Sequence, residues 1–341
     1  KHGGASPVST DTAQIVVTSR VRLARNYHDL PFNNAASATN AELCVSRARQ
    51  GLEGVAGEGY TLFKLSAMNK MDQLSLMERH LISRDLLNHS DVGAALIRGD
   101  QQVSVMVNEE DHLRIQAMQG GFALEDAATL AFTAEDRLAS VCDFSFDTQL
   151  GYLTACPTNT GTGMRASLML HLPMLTRFKQ MGNVSQTVAK LGLTIRGIYG
   201  EGSEALGDLY QVSNQVTLGR TEEEIIEAVT AVGRQLIDME SVLRLRGEKE
   251  TLELEDGVWR SYGALQFARQ MDGGEFMRHW SNLRLGAALG ILPVPLATVD
   301  ELLTIAQDAH AKKYKFSDAS IASTDQARCV IIQHKLNPKE E

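Results

Sequence analysis

The chain has 341 residues, 43% of them hydrophobic, with a formal net charge of −9 at pH 7. That is enough apolar material for one large domain or two ordinary ones, while the acidic balance excludes broad nucleic-acid binding, which needs an excess of Lys and Arg. No apolar run approaches the roughly 20 residues that span a bilayer, and no signal-peptide pattern opens the chain, so the expected protein is soluble and cytoplasmic, with neither membrane nor nucleic acid as a partner.

The first residues, Lys1 to Pro7, read as a flexible end, and residues 1–14 carry no fold argument. Ile15 to Leu23 begins as a β-branched run and then alternates arginine with apolar residues, which predicts a strand with Arg20 and Arg22 on one face. Ala41 to Leu52 and Met71 to Leu87 have helical composition, and His80 lies within the second. Val103 to Val107 reads as a strand that delivers the acidic tetrapeptide Asn108-Glu-Glu-Asp111 at its end. Gly151 to Gly163 is rich in turn residues, and Met164 to Gln180 is predicted as a helix that Pro173 bends or restarts.

Thr194 to Tyr199 is a short β-like segment that leads to Glu201. Thr221 with Glu224 forms a capping-box pattern, after which Ile225, Ile226, Val229, Val232, Leu236 and Ile237 recur on one helical face. The charged stretch 248–256 is expected to link this part to a helical region at 257–341. Four cysteines, Cys44, Cys142, Cys156 and Cys329, stand far apart with no CxxC pair, so neither a zinc site nor a disulfide framework is indicated.

Cys156-Pro-Thr-Asn-Thr-Gly-Thr-Gly-Met-Arg165 joins a cysteine and small residues to the expected start of a helix, a place where backbone N–H groups can meet an anion. Arg20, Arg22, Arg114, Arg165 and Arg196 stand on or beside predicted elements, where planar guanidinium forks can clamp phosphate oxygens. Glu110 and Glu201 each follow a strand-like segment, and their carboxylates can orient a guanidinium and accept a proton. Singly, each of these has a blander reading: a packed cysteine, a surface arginine, a solvated acidic turn. Neither GxxxxGK[ST] nor GxGxxG occurs.

Together the segments resemble the phosphagen (guanidino) kinase family, most closely its bacterial protein-arginine kinase branch of the McsB type. The matching words are Ser19-Arg-Val-Arg-Leu-Ala-Arg-Asn26, Val107-Asn-Glu-Glu-Asp-His-Leu-Arg-Ile115, Cys156 to Ser167, Arg196-Gly-Ile-Tyr-Gly-Glu201 and Tyr210-Gln-Val-Ser-Asn-Gln215, in the family's order. The resemblance implies an α+β fold, an antiparallel sheet flanked by helices over 15–247, followed by the helical region. It implies that the five arginines surround the phosphates of ATP, delivered with Mg²⁺, and that Ser19, Ala166 and Ser167 accompany them in the same motifs. His80 is expected either to line the nucleotide pocket or to be a structural histidine. Glu110 and Glu201 would hold the acceptor guanidinium, with Cys156 against it.

Two features bear on the branch. Kinases of free guanidino metabolites carry a helical domain ahead of the sheet motifs, which here begin at once, and the helical region at 257–341 matches the added domain of the protein-arginine kinases. That branch also carries an RDxxRA motif that binds phosphoarginine. Here the stretch is Thr324-Asp-Gln-Ala-Arg-Cys329, which keeps Asp325 and Arg328 but loses the first arginine, and the alternative is an ordinary helix with one ion pair. The implied partners are proteins with exposed arginines, an activating adaptor, Clp-type proteolytic machinery and a second copy of the chain. Two other functions stay open at this point: a kinase of free arginine, and a weakly catalytic adaptor that binds proteins or phosphoarginine.

Overall fold

The computed structural model describes residues 12–33, 37–53, 59–198, 205–247 and 251–337. The strands are β1 (Val16–Arg25), β2 (Tyr60–Lys64), β3 (Ala94–Arg98), β4 (Val103–Val107), β5 (Leu113–Gly120), the short β6 (Phe146–Asp147) and β7 (Gly151–Tyr152), β8 (Met164–His171), β9 (Leu193–Gly197) and β10 (Leu209–Asn214). Eight of them form one antiparallel sheet in the order β2-β3-β4-β5-β1-β8-β10-β9, and β6 pairs with β7 alone.

Strand alternation decides what each face carries. One face presents Val21 and Leu23 of β1, Val103 and Val105 of β4, Leu113 and Ile115 of β5, and Met164, Ala166 and Leu168 of β8 to the main core. It is covered by α1 (Ala38–Glu53), α4 (Leu124–Ala139), α6 (Met181–Lys190) and α7 (Glu222–Gly247). The start of α7 has the expected capping box, with Thr221 Oγ1 accepting from Glu224 N at 3.2 Å and Glu224 Oε2 accepting from Thr221 N at 3.2 Å. Its apolar stripe is buried at Ile225, Val229, Val232, Leu236 and Ile237, with Ile226 half-buried beside them.

Among the described residues the opposite face is covered only at its margins. Over β3 and β4 lie α2 (Lys70–Glu78) and α3 (Arg84–Asn88), whose Leu76, Leu86 and Leu87 pack on Ala95, Ile97 and Met106. The single helix expected over Met71 to Leu87 is thus two. They are divided at His80, whose backbone is left-handed (φ 58°), a conformation that ends a helix.

At the other margin lie α8 (Thr251–Phe267), α9 (Gly273–Ala288), α10 (Leu296–Ile305), α11 (Asp308–Ser317) and α12 (Thr324–Leu336). Their core around Trp280, Phe276 and Leu302 takes in Val17, Met169 and Leu209 of the sheet. Part of the stretch expected to link the two regions, 251–256, is the first turns of α8, and 248–250 lie outside the described residues.

Polar contacts fasten the helices to the sheet. Arg284, fully buried, donates to Asp300 (2.7 Å) and to the carbonyls of Gln14 (2.7 Å) and Ala13 (3.1 Å), so residues 12–14 are anchored instead of flexible. Glu78 at the end of α2 accepts from Ala309 N (2.6 Å) and His310 N (3.1 Å), capping α11 with a carboxylate where the helix dipole favours one.

The largest departure from the sequence reading is at Met164 to Gln180. Met164–His171 is a strand, followed by the short helix α5 (Pro173–Arg177). Ala, Leu and Met suit a helix locally, but β8 lies between β1 and β10 and is buried for almost its whole length, so tertiary pairing overrides propensity.

Candidate active site

Between the two margins the bare strip of sheet carries the arginines. Arg20 and Arg22 project from β1, Arg114 from neighbouring β5, and Arg165 from β8 on the other side, opposite Arg22 in register. Arg196 comes from β9 at the edge. Their partners hold them at fixed angles: Arg20 Nη2 donates to Gln211 Oε1 (2.6 Å), Arg165 donates to Ser213 Oγ through Nη2 (3.1 Å) and Nε (3.3 Å), and Arg114 pairs with Glu109.

Arg22 is different, because its Nε is buried without a hydrogen-bond partner. Its guanidinium is held well below its ordinary pKa by burial first and then by the charges of Arg20, Arg114 and Arg165. Arg165 is lowered for the same reasons, by burial and then by Arg196 and Arg114. Such a crowd of like charges, opposed at Arg22 by Glu109, is a site built for an anion. His80 joins it: burial and then the charge of Arg20 push its pKa down to about 4, so the ring is neutral at pH 7. Ser167 shares the arginines' face, opposite Arg20 in register, with its hydroxyl 3.4 Å from the Arg20 carbonyl.

The acidic tetrapeptide forms one wall of a cleft of about 250 Å³ that also contains Arg22, Arg114, Arg165 and Cys156. Asp111 is the hinge of this wall. Its Oδ1 accepts from Asn26 Nδ2 and from the backbone N of Ala155, each at 2.7 Å, which draws the Cys156 loop against the end of β4. Glu110 is left at the surface and meets Asn159 Nδ2 at 3.5 Å and a hydrogen bond from Cys156. Burial and the neighbouring Asp111 raise the Glu110 carboxyl above its ordinary range, and the Cys156 contact only partly offsets this. The Cys156 thiol also lies 3.0 Å from Thr158 Oγ1. Only a single 3₁₀ turn, Pro157–Asn159, follows Cys156, and the loop then enters β8 instead of an α-helix, so anion binding here rests on the arginine side chains and not on an α-helix N-terminus.

Two glycines in the loop are required by close approach. Gly161 has φ 118°, and a Cβ there would lie 2.4 Å from the Thr217 carbonyl oxygen. Gly163 has φ 59°, and a Cβ would meet Arg25 Nη1 at 2.6 Å and the Ala24 carbonyl oxygen at 2.7 Å. Arg25 cannot retreat, because it is fully buried, paired with Glu135 at 2.5 Å and stacked over the Tyr152 ring. Gly163→Ala should therefore lower the unfolding free energy by more than the roughly 1–2 kcal/mol of left-handed strain alone. Gly219→Ala, with φ 72° and open space around it, should cost only the strain. Urea denaturation of the two variants checks the difference.

Several expected site residues stand elsewhere. Ser19 is fully buried on the helix-covered face, its hydroxyl donating to the Gly121 carbonyl (2.8 Å) and accepting from Ala123 N (2.9 Å), so it fastens β1 to the start of α4. The Ala166 side chain is in the main core on that same face. Strand alternation turns both away from the arginines. Arg328 is buried and already engaged, donating to the carbonyls of Met271 (2.6 Å) and Ala306 (2.8 Å), to Asp325 (2.7 Å) and to Asp308. It ties α12 to the start of α11 and offers no open fork to a phosphate. Glu201 lies outside the described residues.

Glu109 has no motif signal of its own in the sequence, yet at 3% exposure it carries Arg114 and accepts from Ser83, the N-cap residue of α3. Asn159 and Asp85 likewise line the cleft. Only the adjacency of Glu109 to Glu110 could have hinted at it.

A sequence profile for the ATP:guanido phosphotransferase C-terminal catalytic domain matches residues 45–243, and one for the protein-arginine kinase McsB C-terminal domain matches 251–341. The chain is 42% identical over 332 residues to a protein-arginine kinase of Caldanaerobacter subterraneus subsp. tengcongensis, covering 96% of this chain and 98% of that one. It is also 42% identical over 330 residues to a protein-arginine kinase of Desulforamulus reducens, covering 95% and 92%. Among solved structures, a lombricine kinase superposes with a TM-score of 0.62 at 25% identity, covering 70% of each chain. The duplicated taurocyamine kinase of Schistosoma mansoni with bound transition-state-analogue components gives 0.61 at 28% identity, covering 70% of this chain and 34% of that one.

Proposed function

The chain belongs to the ATP:guanido phosphotransferase family, with the C-terminal domain of the protein-arginine kinases, and from that premise we infer that it transfers the γ-phosphoryl group of ATP to arginine side chains in proteins. The observation that carries this reading is the convergence of Glu110 and Cys156 at the edge of a floor of arginines. One side of the cleft suits a guanidinium and the other a polyphosphate.

Guanidinium is a poor nucleophile because its lone pairs are delocalised and it is protonated near neutrality. Glu110 orients the acceptor by hydrogen bonding and takes the proton from the attacking nitrogen. Cys156 supports the acceptor's orientation from the adjoining loop. The N–P bond forms in line as the bond from γ-phosphorus to the bridging oxygen breaks, and ADP leaves. Arg20, Arg22, Arg114, Arg165 and Arg196 stabilise the charge spread over the phosphoryl oxygens. Neutral His80 offers a flat, uncharged surface to the nucleotide. In this proposal Mg²⁺ enters with its nucleotide as MgATP. Glu201 is the second acceptor carboxylate in this proposal.

Because Glu110 must be ionised, activity falls as the pH drops through its raised pKa. The acid limb of kcat/KM should therefore lie above the ordinary glutamate value of 4.5, and Asp111→Asn, which removes a neighbouring negative charge, should move it down. A pH–rate profile of both proteins checks this.

Proteins with exposed arginines are the substrates in this reading, and free arginine is the alternative acceptor. The test offers ATP and Mg²⁺ with free L-arginine and with an unfolded arginine-rich protein in parallel, followed by mass analysis of acid-labile product. Phosphoarginine in the protein is expected; transfer to the free amino acid alone would move the chain to the metabolite kinases. An activating adaptor, Clp-type proteolytic machinery and a homodimer through the helical region complete the proposal. So do a cytoplasmic setting and a role in marking proteins for regulated proteolysis. No helix among the described residues is long and apolar enough to cross a membrane.

A further inference from the structure

Beside the cleft lies a second cavity of about 580 Å³, which shares Glu109 and Glu110 in its wall and is the larger of the two. It opens on the acceptor side, away from Arg22, Arg114 and Arg165, none of which lines it. Its charges are Asp91, Glu109 and Glu110, with one imidazole, His89, and no Lys or Arg among the described lining residues.

Asp91 is exposed, and no hydrogen bond or ion pair with another described residue engages its carboxylate. Its backbone, by contrast, is braced. The turn after it is closed by Val92 N and Gly93 N donating to the His89 carbonyl (3.2 and 2.7 Å), and a Cβ on Gly93 would lie 2.8 Å from that oxygen. Asn108, 2% exposed and left-handed at φ 61°, donates through Nδ2 to the carbonyls of Val92 (3.0 Å) and Ala41 (2.9 Å). The residue that starts the Glu109-Glu110 segment therefore also fixes the turn of Asp91. Its Oδ1 is buried in the wall without a hydrogen-bond partner, which adds a further negative dipole. A free carboxylate is thus held on a rigid mount across an acidic cavity from the acceptor carboxylate.

We propose that this cavity is a subsite for the residue flanking the acceptor arginine, and that Asp91 makes it favour lysine or arginine there. The proposal rests on the protein-arginine kinase reading and names a substrate class within it: arginines in basic sequence. Asp91 is exposed, so the preference is that of a solvent-screened ion pair, roughly threefold to fivefold, and it shrinks with added salt.

The test uses the full chain and two peptides identical except for the residues flanking one arginine, lysine in the first and glutamate in the second. The readout is the ratio of kcat/KM between them for wild type, Asp91→Asn and Asp91→Lys, so that any general loss of activity cancels. Wild type should favour the lysine peptide, mainly through KM; Asp91→Asn should flatten the ratio and Asp91→Lys should invert it. An unchanged ratio in Asp91→Lys, with both peptides still phosphorylated, overturns the subsite and leaves the kinase reading standing. Phosphorylation of neither peptide by wild type overturns both.

Discussion

Glu110→Gln should lower kcat for phosphotransfer by about 10²–10⁴, while the protein keeps its fold. The side chain is exposed and, among the described residues, its close polar partners are the Cys156 thiol and the Asn159 amide at 3.5 Å, so an isosteric amide leaves nothing buried and unpaired there. What it removes is the charge that pairs with a guanidinium and the site that takes its proton. Single-turnover transfer and a thermal melt on the same sample check both halves. A variant that is inactive because it no longer melts cooperatively would assign Glu110 to the fold. One that retains activity within a few-fold of wild type would remove it from the mechanism.

Arg22→Gln should lower kcat/KM by about 10²–10³, the scale of losing one preorganised donor to a developing anion, and it should not lower the melting temperature. The argument is electrostatic. Arg22 is surrounded by three other guanidinium groups, with Glu109 as the opposing charge, and its Nε has no partner. A protein does not gather such charges for stability, since each is desolvated and repelled. Removing one should leave the nucleotide-free protein equally stable or slightly more so, as happens where a site is strained for function. The same substitution should shrink the rise in melting temperature that MgATP produces in wild type, because that rise reports binding to the native state alone. A loss of stability with the MgATP effect intact would mark Arg22 as structural.

The sequence carried much of this protein's identity by itself. The Arg-apolar alternation of β1, the capping box of α7 and the strand delivering Asn108 to Asp111 are local patterns, set by neighbours a few residues apart, and so they could be read without the fold. The motif words pointed to the fold class and the guanidino kinase family, and the long helical region to the protein-arginine kinases.

Tertiary structure decided the rest. Met164 to His171 has the local composition of a helix but becomes a strand because it sits between β1 and β10, and no local signal records which neighbours a strand will have. That pairing brings Arg165 opposite Arg22 and turns Ala166 into the core, just as β1 turns Ser19 away from the cleft. Arg328 reads from sequence either as a phosphate contact or as one half of a helical ion pair; the structure has that pair with Asp325, and Met271, Ala306 and Asp308, distant in the chain, fill the rest of its fork. Asp91 and Glu110 share one cavity because Asn108 bridges α1 and the turn before β3. Such long-range contacts fix the direction of a side chain and the neighbours that set its charge, and those are the quantities on which the chemistry depends.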